Sequence, residues 1–336
     1  MTRLGILDQS PIRDGGSAAQ ALAESVDLAI NCERFGYHRY WVAEHHNTGS
    51  FAGSAPEILI GKIAGETKHM RVGAGGVMLP HYSPLKVAEC FKMLEALYPR
   101  RIDLGLGRAP GTDQRTMAAL QPGPKAYPID VFPQQIELLQ QFLADDFPPD
   151  HPYTGIHAMP LVATQPECWM LGSSIQGALY AAQFSLPYCH AHFITPEQSE
   201  QSVAAYRKNF KPSKLLAEPY AALGVNALAA DTPEQAQHLA KPRNLWVTQL
   251  LLGSRGRFIS PEQVDAHPFT LSERGLYDSI QTRGIIGTGA ECRDRLTALG
   301  ALHGVDEFIV LTITHAHADR VRSYELIAAA FGLKSD

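Results

Sequence analysis

Tyr40-Trp41-Val42-Ala43-Glu44-His45-His46-Asn47, Arg71-Val72-Gly73-Ala74-Gly75-Gly76-Val77-Met78 and Arg101-Ile102-Asp103-Leu104-Gly105-Leu106-Gly107-Arg108 are three short apolar runs, each ending in reactive or bare residues. Two amphipathic segments, 55–68 and 84–98, separate them. Short strand-like runs alternating with helical ones argue for βαβ units and a parallel sheet. In such sheets ligands sit at the carboxyl ends of the strands. Here those ends carry His-His, Gly-Gly and Gly-x-Gly-Arg. The stretch reads as a site.

Upstream, Leu4 to Leu7 is a further strand, and Ser17 caps a helix from Ala18 to Phe35. Helices are expected over Pro56–Thr67 and Pro84–Leu97, so the first third of the chain holds four strand–helix steps. Downstream the pattern lapses. Residues 110–128 are rich in Gly and Pro, Phe132 to Leu143 reads as a helix, and Phe147 to Pro166 as an extended insertion or hairpin. Strands return at Cys168–Leu171, Pro187–His192, Tyr220–Leu228 and Phe308–Thr312. Helices follow Ser173-Ser174, run from Pro196 to Asn209, start at Thr232, span Thr270–Gln281, and close the chain over Ala318–Phe331. Thr288-Gly289-Ala290-Glu291 has the spacing of a capping box. A second irregular stretch covers Gly253 to Pro268. Eight strands nearly all followed by helices predict an α/β fold: a (β/α)8 TIM barrel with insertions after strand 4 and after strand 7, one domain over residues 1–336. A doubly wound sheet is the alternative, because a sequence does not show closure.

Composition narrows the function classes. A chain of 336 residues with 45% hydrophobic and 19% charged residues has the make-up of a soluble globular protein. A formal charge of -5 argues against a nucleic-acid partner. No run approaches 18 apolar residues, so no membrane span is expected, and Met1 to Asp8 reads as a first strand rather than a leader. Five widely spaced cysteines without a C-x-x-C pair favour buried thiols over disulfides or zinc, and a reducing, cytoplasmic setting.

The candidate chemistry stands beside plainer readings. His45 and His46 follow a strand directly, where a histidine can move protons near neutral pH; a hydrogen-bonded structural pair is the alternative. No further residues at ligand spacing complete a metal site. Gly75 and Gly76 bare a strand as a flat ring lying on it would require, or as a bulge would. Arg108, after Gly105-Leu106-Gly107, can grip a phosphate bidentately. Gly172, Ser173 and Ser174 open a helix, either as an anion site or as a plain cap. His190 and His192, alternate residues of one strand, either line the barrel mouth or pack structurally.

Taken together, Trp41–His46, Arg71–Pro84, Arg101–Gly111 and Leu171–Gly177 resemble the bacterial luciferase-like flavin monooxygenases, most densely between residues 36 and 111. The resemblance implies a barrel binding FMN at the strand C-termini. It places the catalytic role on His45, a non-prolyl cis peptide at Gly75-Gly76 behind the flavin ring, and the flavin phosphate on Arg108 and Ser173-Ser174. His46 and His81 become pocket walls, with His190 and His192 as further pocket candidates. Reduced FMN and molecular oxygen are the implied cosubstrates, with a small organic substrate, a separate flavin reductase, and a homodimer among the expected assemblies. The family's luciferases have a cysteine where this chain has Gly107, which speaks against light emission from an aldehyde but not against flavin binding. A deazaflavin-dependent hydride-transfer enzyme and a non-catalytic flavin-binding protein are the alternatives. Gly253 to Phe258, rich in glycine and positive charge, is either a lid or a solvated loop.

Overall fold

The computed structural model describes residues 2–109, 111–121, 129–254 and 256–334. Strands and helices alternate through most of the chain. In order they are β1 (Arg3–Asp8), α1 (Ala18–Arg34), β2 (Arg39–Val42), α2 (Pro56–Glu66), β3 (Arg71–Met78), α3 (Pro84–Leu97), β4 (Ile102–Gly107), α4 (Gln114–Leu120) and α5 (Phe132–Ala144). Then come β5 (Glu167–Gly172), α6 (Ile175–Gln183), β6 (Tyr188–Ala191), α7 (Ser199–Asn209), β7 (Ala221–Ala229), α8 (Pro233–Leu251), α9 (Pro261–Asp265) and α10 (Leu271–Gln281). β8 (Ile285–Gly287), α11 (Gly289–His303), β9 (Glu307–Leu311) and α12 (His317–Phe331) complete the chain.

All pairings between these strands are parallel. β1 to β7 pair in sequence, and β9 lies between β7 and β1, which closes an eight-stranded barrel. The expected TIM barrel is therefore formed, and the doubly wound alternative is not. The structure adds β8, which pairs with the last three residues of β7, Ala227–Ala229, just past the point where β7 leaves β9. Two short helices also stand in stretches expected to be irregular: α4, capped by Asp113, and α9, with a capping box on Ser260 and Gln263. Residues 147–166 form turns and no strand, so the hairpin reading is corrected. That segment is held from inside instead: the buried Lys92 ammonium donates to the carbonyls of Phe142 and Ala158 at 3.1 and 3.0 Å.

Strand periodicity sorts the core into two layers. In β2, Tyr40 and Val42 point outward into the large cluster beneath the helices, while Trp41 points into the barrel with Leu7, Trp169 and Ile309. The N-terminal strand ends form a charged floor. Arg39 bonds Asp103 and Glu307 at 2.5 Å each, Asp103 also accepts from Trp41 Nε1 at 2.8 Å, and Arg71 bonds its other oxygen. The Arg39 guanidinium lies 5.6 and 4.7 Å from the Trp41 and Trp169 rings. Burial disfavours its charge, but Asp103, Glu307 and Glu167 outweigh burial and push its pKa up. The five cysteines are free thiols, three of them fully buried. Among the described residues no helix is long and apolar enough to cross a membrane.

Candidate active site

At the opposite, C-terminal end of the strands lies a cavity of about 440 Å³. His45 and His46 line it from the loop after β2, Asn226 from β7, Leu311 from β9, and Arg243 and Trp246 from α8. This is the face on which barrel sites form, because loops vary there while the strands hold them.

Glu44 organises the histidine pair. Fully buried, it accepts from His46 Nε2 at 2.7 Å, from the Tyr82 hydroxyl at 2.7 Å and from the Met78 amide at 3.0 Å. One carboxylate thus ties the end of β2 to the end of β3. It also fixes His46 with its Nε2 turned inward. Burial first, and Glu44 second, hold the Tyr82 hydroxyl protonated by pushing its pKa up. His45 lacks such an anchor. Its backbone amide donates to Gly53, its ring packs on Phe51 at 4.7 Å, and its buried Nδ1 has no hydrogen-bond partner among the described residues. Burial, then the neighbouring His46, lower its pKa to about 4. The expectation that His45 titrates near working pH is therefore corrected: at neutral pH it is an uncharged imidazole.

The expected cofactor residues stand on consecutive strand ends rather than in the cavity lining. The Gly75-Gly76 peptide is cis, and the β3–β4 register shifts between Ala74 and Val77 around it. A Cβ built on Gly76 would come within 2.5 Å of the Gly105 carbonyl oxygen, so only glycine lets β3 and β4 approach here. Arg108 leaves the end of β4 half-exposed. Gly172 ends β5, and Ser173 and Ser174 lead into α6, where the Ser174 side chain makes no capping bond.

Three other histidines do not line the cavity among its described residues. His81 is buried behind His46, ring centroids 6.1 Å apart, and so forms a wall at one remove. His190 and His192, also read as pocket candidates, are committed elsewhere. His190 meets the Tyr188 hydroxyl at 2.9 Å and the Thr195 carbonyl at 3.1 Å, and His192 meets Ser199, which also meets His303. The packing alternative describes them. Part of the suggested lid is equally committed. Gly256 accepts from Ser50 and Trp246, and Phe258 is buried against Trp246 and Phe51. Arg255, within that stretch, and Pro110, beside the Arg108 loop, lie outside the described residues. Among the described residues no three His, Cys, Asp or Glu side chains gather as a metal ligand set.

Sequence reasoning missed the α8 wall. Arg243 falls on the buried stripe of that helix with Ala236 and Ala240, at spacings of seven and three. A charged residue on an apolar stripe was the available signal.

The family model for luciferase-like monooxygenases matches residues 2–307. The uncharacterised protein YwcH of Bacillus subtilis is 44% identical over 335 residues, spanning 98% of this chain and 99% of that one. The N-acetyl-S-alkylcysteine monooxygenase of the same organism is 39% identical over 335 residues, 98% of each chain. The crystal structure of apo-MsnO8 superposes with a TM-score of 0.88 at 35% identity, over 99% of both chains. Match and relatives agree: the chain belongs to the luciferase-like monooxygenases and is a flavin-dependent oxidoreductase.

Proposed function

We propose that this protein is an FMN-dependent monooxygenase that uses reduced FMN and molecular oxygen to oxidise a small organic substrate in the cavity above the barrel. The observation that carries the reading is His45. It lines the cavity and carries a buried ring nitrogen with no hydrogen-bond partner among the described residues, and the strand before it neighbours one bared of side chains at Gly75-Gly76. A flat heteroaromatic ring with hydrogen-bonding edges meets both needs. Arg108 and the Ser173-Ser174 turn at the start of α6 supply a cation and amide donors for its phosphate.

Bound reduced FMN would supply the electrons for oxygen chemistry. The chain supplies position and proton control. His45, neutral, can donate from one ring nitrogen and accept at the other, while Glu44 keeps His46 and Tyr82 from competing for that place. The apolar wall of Phe51, Trp246 and Leu311 keeps water away. A separate reductase fits this division of labour, and a 25% identical relative is named as the oxygenase component of a trigonelline monooxygenase. The barrel alone does not choose the flavin. At 17% and 16% identity it is shared by a diketocamphane monooxygenase component solved with FMN and by an F420-dependent alcohol dehydrogenase.

Titration of the purified protein with oxidised FMN, reduced FMN and deazaflavin tests the reading. Reduced FMN is expected to bind tightest, and tighter binding of the deazaflavin would favour hydride transfer instead. Arg108→Ala should weaken FMN by roughly 10–150-fold, the worth of one charge-assisted contact, and leave riboflavin, which lacks the phosphate, nearly unchanged.

A further inference from the structure

Arg243 is a buried cation without a counter-charge among the described residues. It is 9% exposed, lies within α8, makes no hydrogen bond or ion pair among the described residues, and lines the cavity. The other buried arginines are paired: Arg39 with Asp103 and Glu307, Arg320 with Asp8. No aspartate or glutamate is among the cavity's described lining residues, whereas a second arginine, Arg283, stands at its rim. A guanidinium carries five donors, and burying such a charge unpaired is costly unless something in the site meets it. Around it the wall is apolar: Trp246, Val247, Leu250 and Ile313. The buried Asn226 amide lines the same space.

We propose that the cavity selects an organic acid, with the carboxylate or sulfonate of the substrate held by Arg243 and its apolar portion lying against the Trp246 side of α8. The inference rests on the cavity being the substrate site of the proposed monooxygenase, and it names the substrate class. Burial lowers the Arg243 pKa to about 10, so the group is still charged at neutral pH. A buried guanidinium facing a low-dielectric cavity discriminates strongly between an anion and its neutral isostere, because only the anion offsets the charge. The flavin phosphate is the other anion in the system, and the test separates the two.

Calorimetric titration of the flavin-free protein with hexanoate and with hexanamide reads the anion preference directly. Wild type is expected to bind hexanoate roughly 10–100-fold more tightly than the amide. Arg243→Met, similar in volume and leaving no carboxylate orphaned, should abolish that preference. Arg243→Lys should keep part of it, and serves with the wild-type comparison if the methionine variant does not fold. In Arg243→Met the ratio of FMN to riboflavin affinity should stay at the wild-type value. Equal or undetectable binding of both probes to wild type, or a preference that survives in Arg243→Met, overturns the proposal. So does a collapse of the FMN-to-riboflavin ratio in that variant, which would put the flavin phosphate on Arg243. Failure of flavin binding with the hexanoate preference intact would remove the flavin reading and leave the anion site standing.

Discussion

His45 differs from an ordinary histidine because it packs on Phe51, abuts His46 and holds a buried nitrogen that no described residue satisfies. The unfolded chain protonates it near 6.5, whereas the folded chain resists until about 4. Between those values only the unfolded state gains the proton, so the contribution of His45 to stability is whole above about 6.5 and is lost as pH falls towards 4. Urea unfolding should therefore show a stability decline from pH 6.5 to 4.5 that is shallower in His45→Asn. On an identified substrate, the His45→Ala variant should lose product yield by ~10²–10⁴-fold while FMN affinity changes little. Full turnover in that variant would make His45 a structural residue.

At the level of elements, the link that counts is Glu44 between the ends of β2 and β3. Glu44→Ala would leave the Met78 amide without its acceptor, and the Tyr82 hydroxyl and His46 Nε2, 3.3 Å apart, with only each other, at about 1–3 kcal/mol for a donor left unsatisfied. A thermal melt should show a drop of several degrees for Glu44→Ala and a smaller one for Glu44→Gln, which keeps an acceptor oxygen. Equal melting of all three proteins would mean the link is slack.

Elements of this kind were legible where local chemistry speaks for itself. The Ser17 cap, the Thr288–Glu291 capping box and the helix at Pro84–Leu97 form as read, because caps and apolar stripes are local signals. β8 was missed because three residues, Ile285–Gly287, carry no periodicity, and they pair only because the tail of β7 is left open beyond β9. The strand-end residues could be picked out by type. Whether each faces the cavity could not, since that depends on partners far away in sequence, as His192 depends on Ser199 and His303. Arg243 was overlooked for a related reason: its meaning lies in the absence of a nearby carboxylate, which only a folded chain displays.

For the molecule as a whole, the Arg39 network joins strands that are far apart in sequence: β2, β4, β5 and β9. Replacing Arg39 by methionine would leave Asp103 and Glu307 buried with their charge less well compensated. Breaking a buried pair in this way typically costs about 3–5 kcal/mol. Arg39→Met should thus lower the midpoint of denaturant unfolding sharply, and an unchanged midpoint would show the floor to be redundant.

The same floor governs traffic. With Arg39 packed against Trp41 and Trp169, all three buried, the base of the barrel is filled by side chains, and the cavity described above opens at the other end. A flavin and a substrate that both approach from that end would share the same mouth, so occupancy by one should alter access for the other.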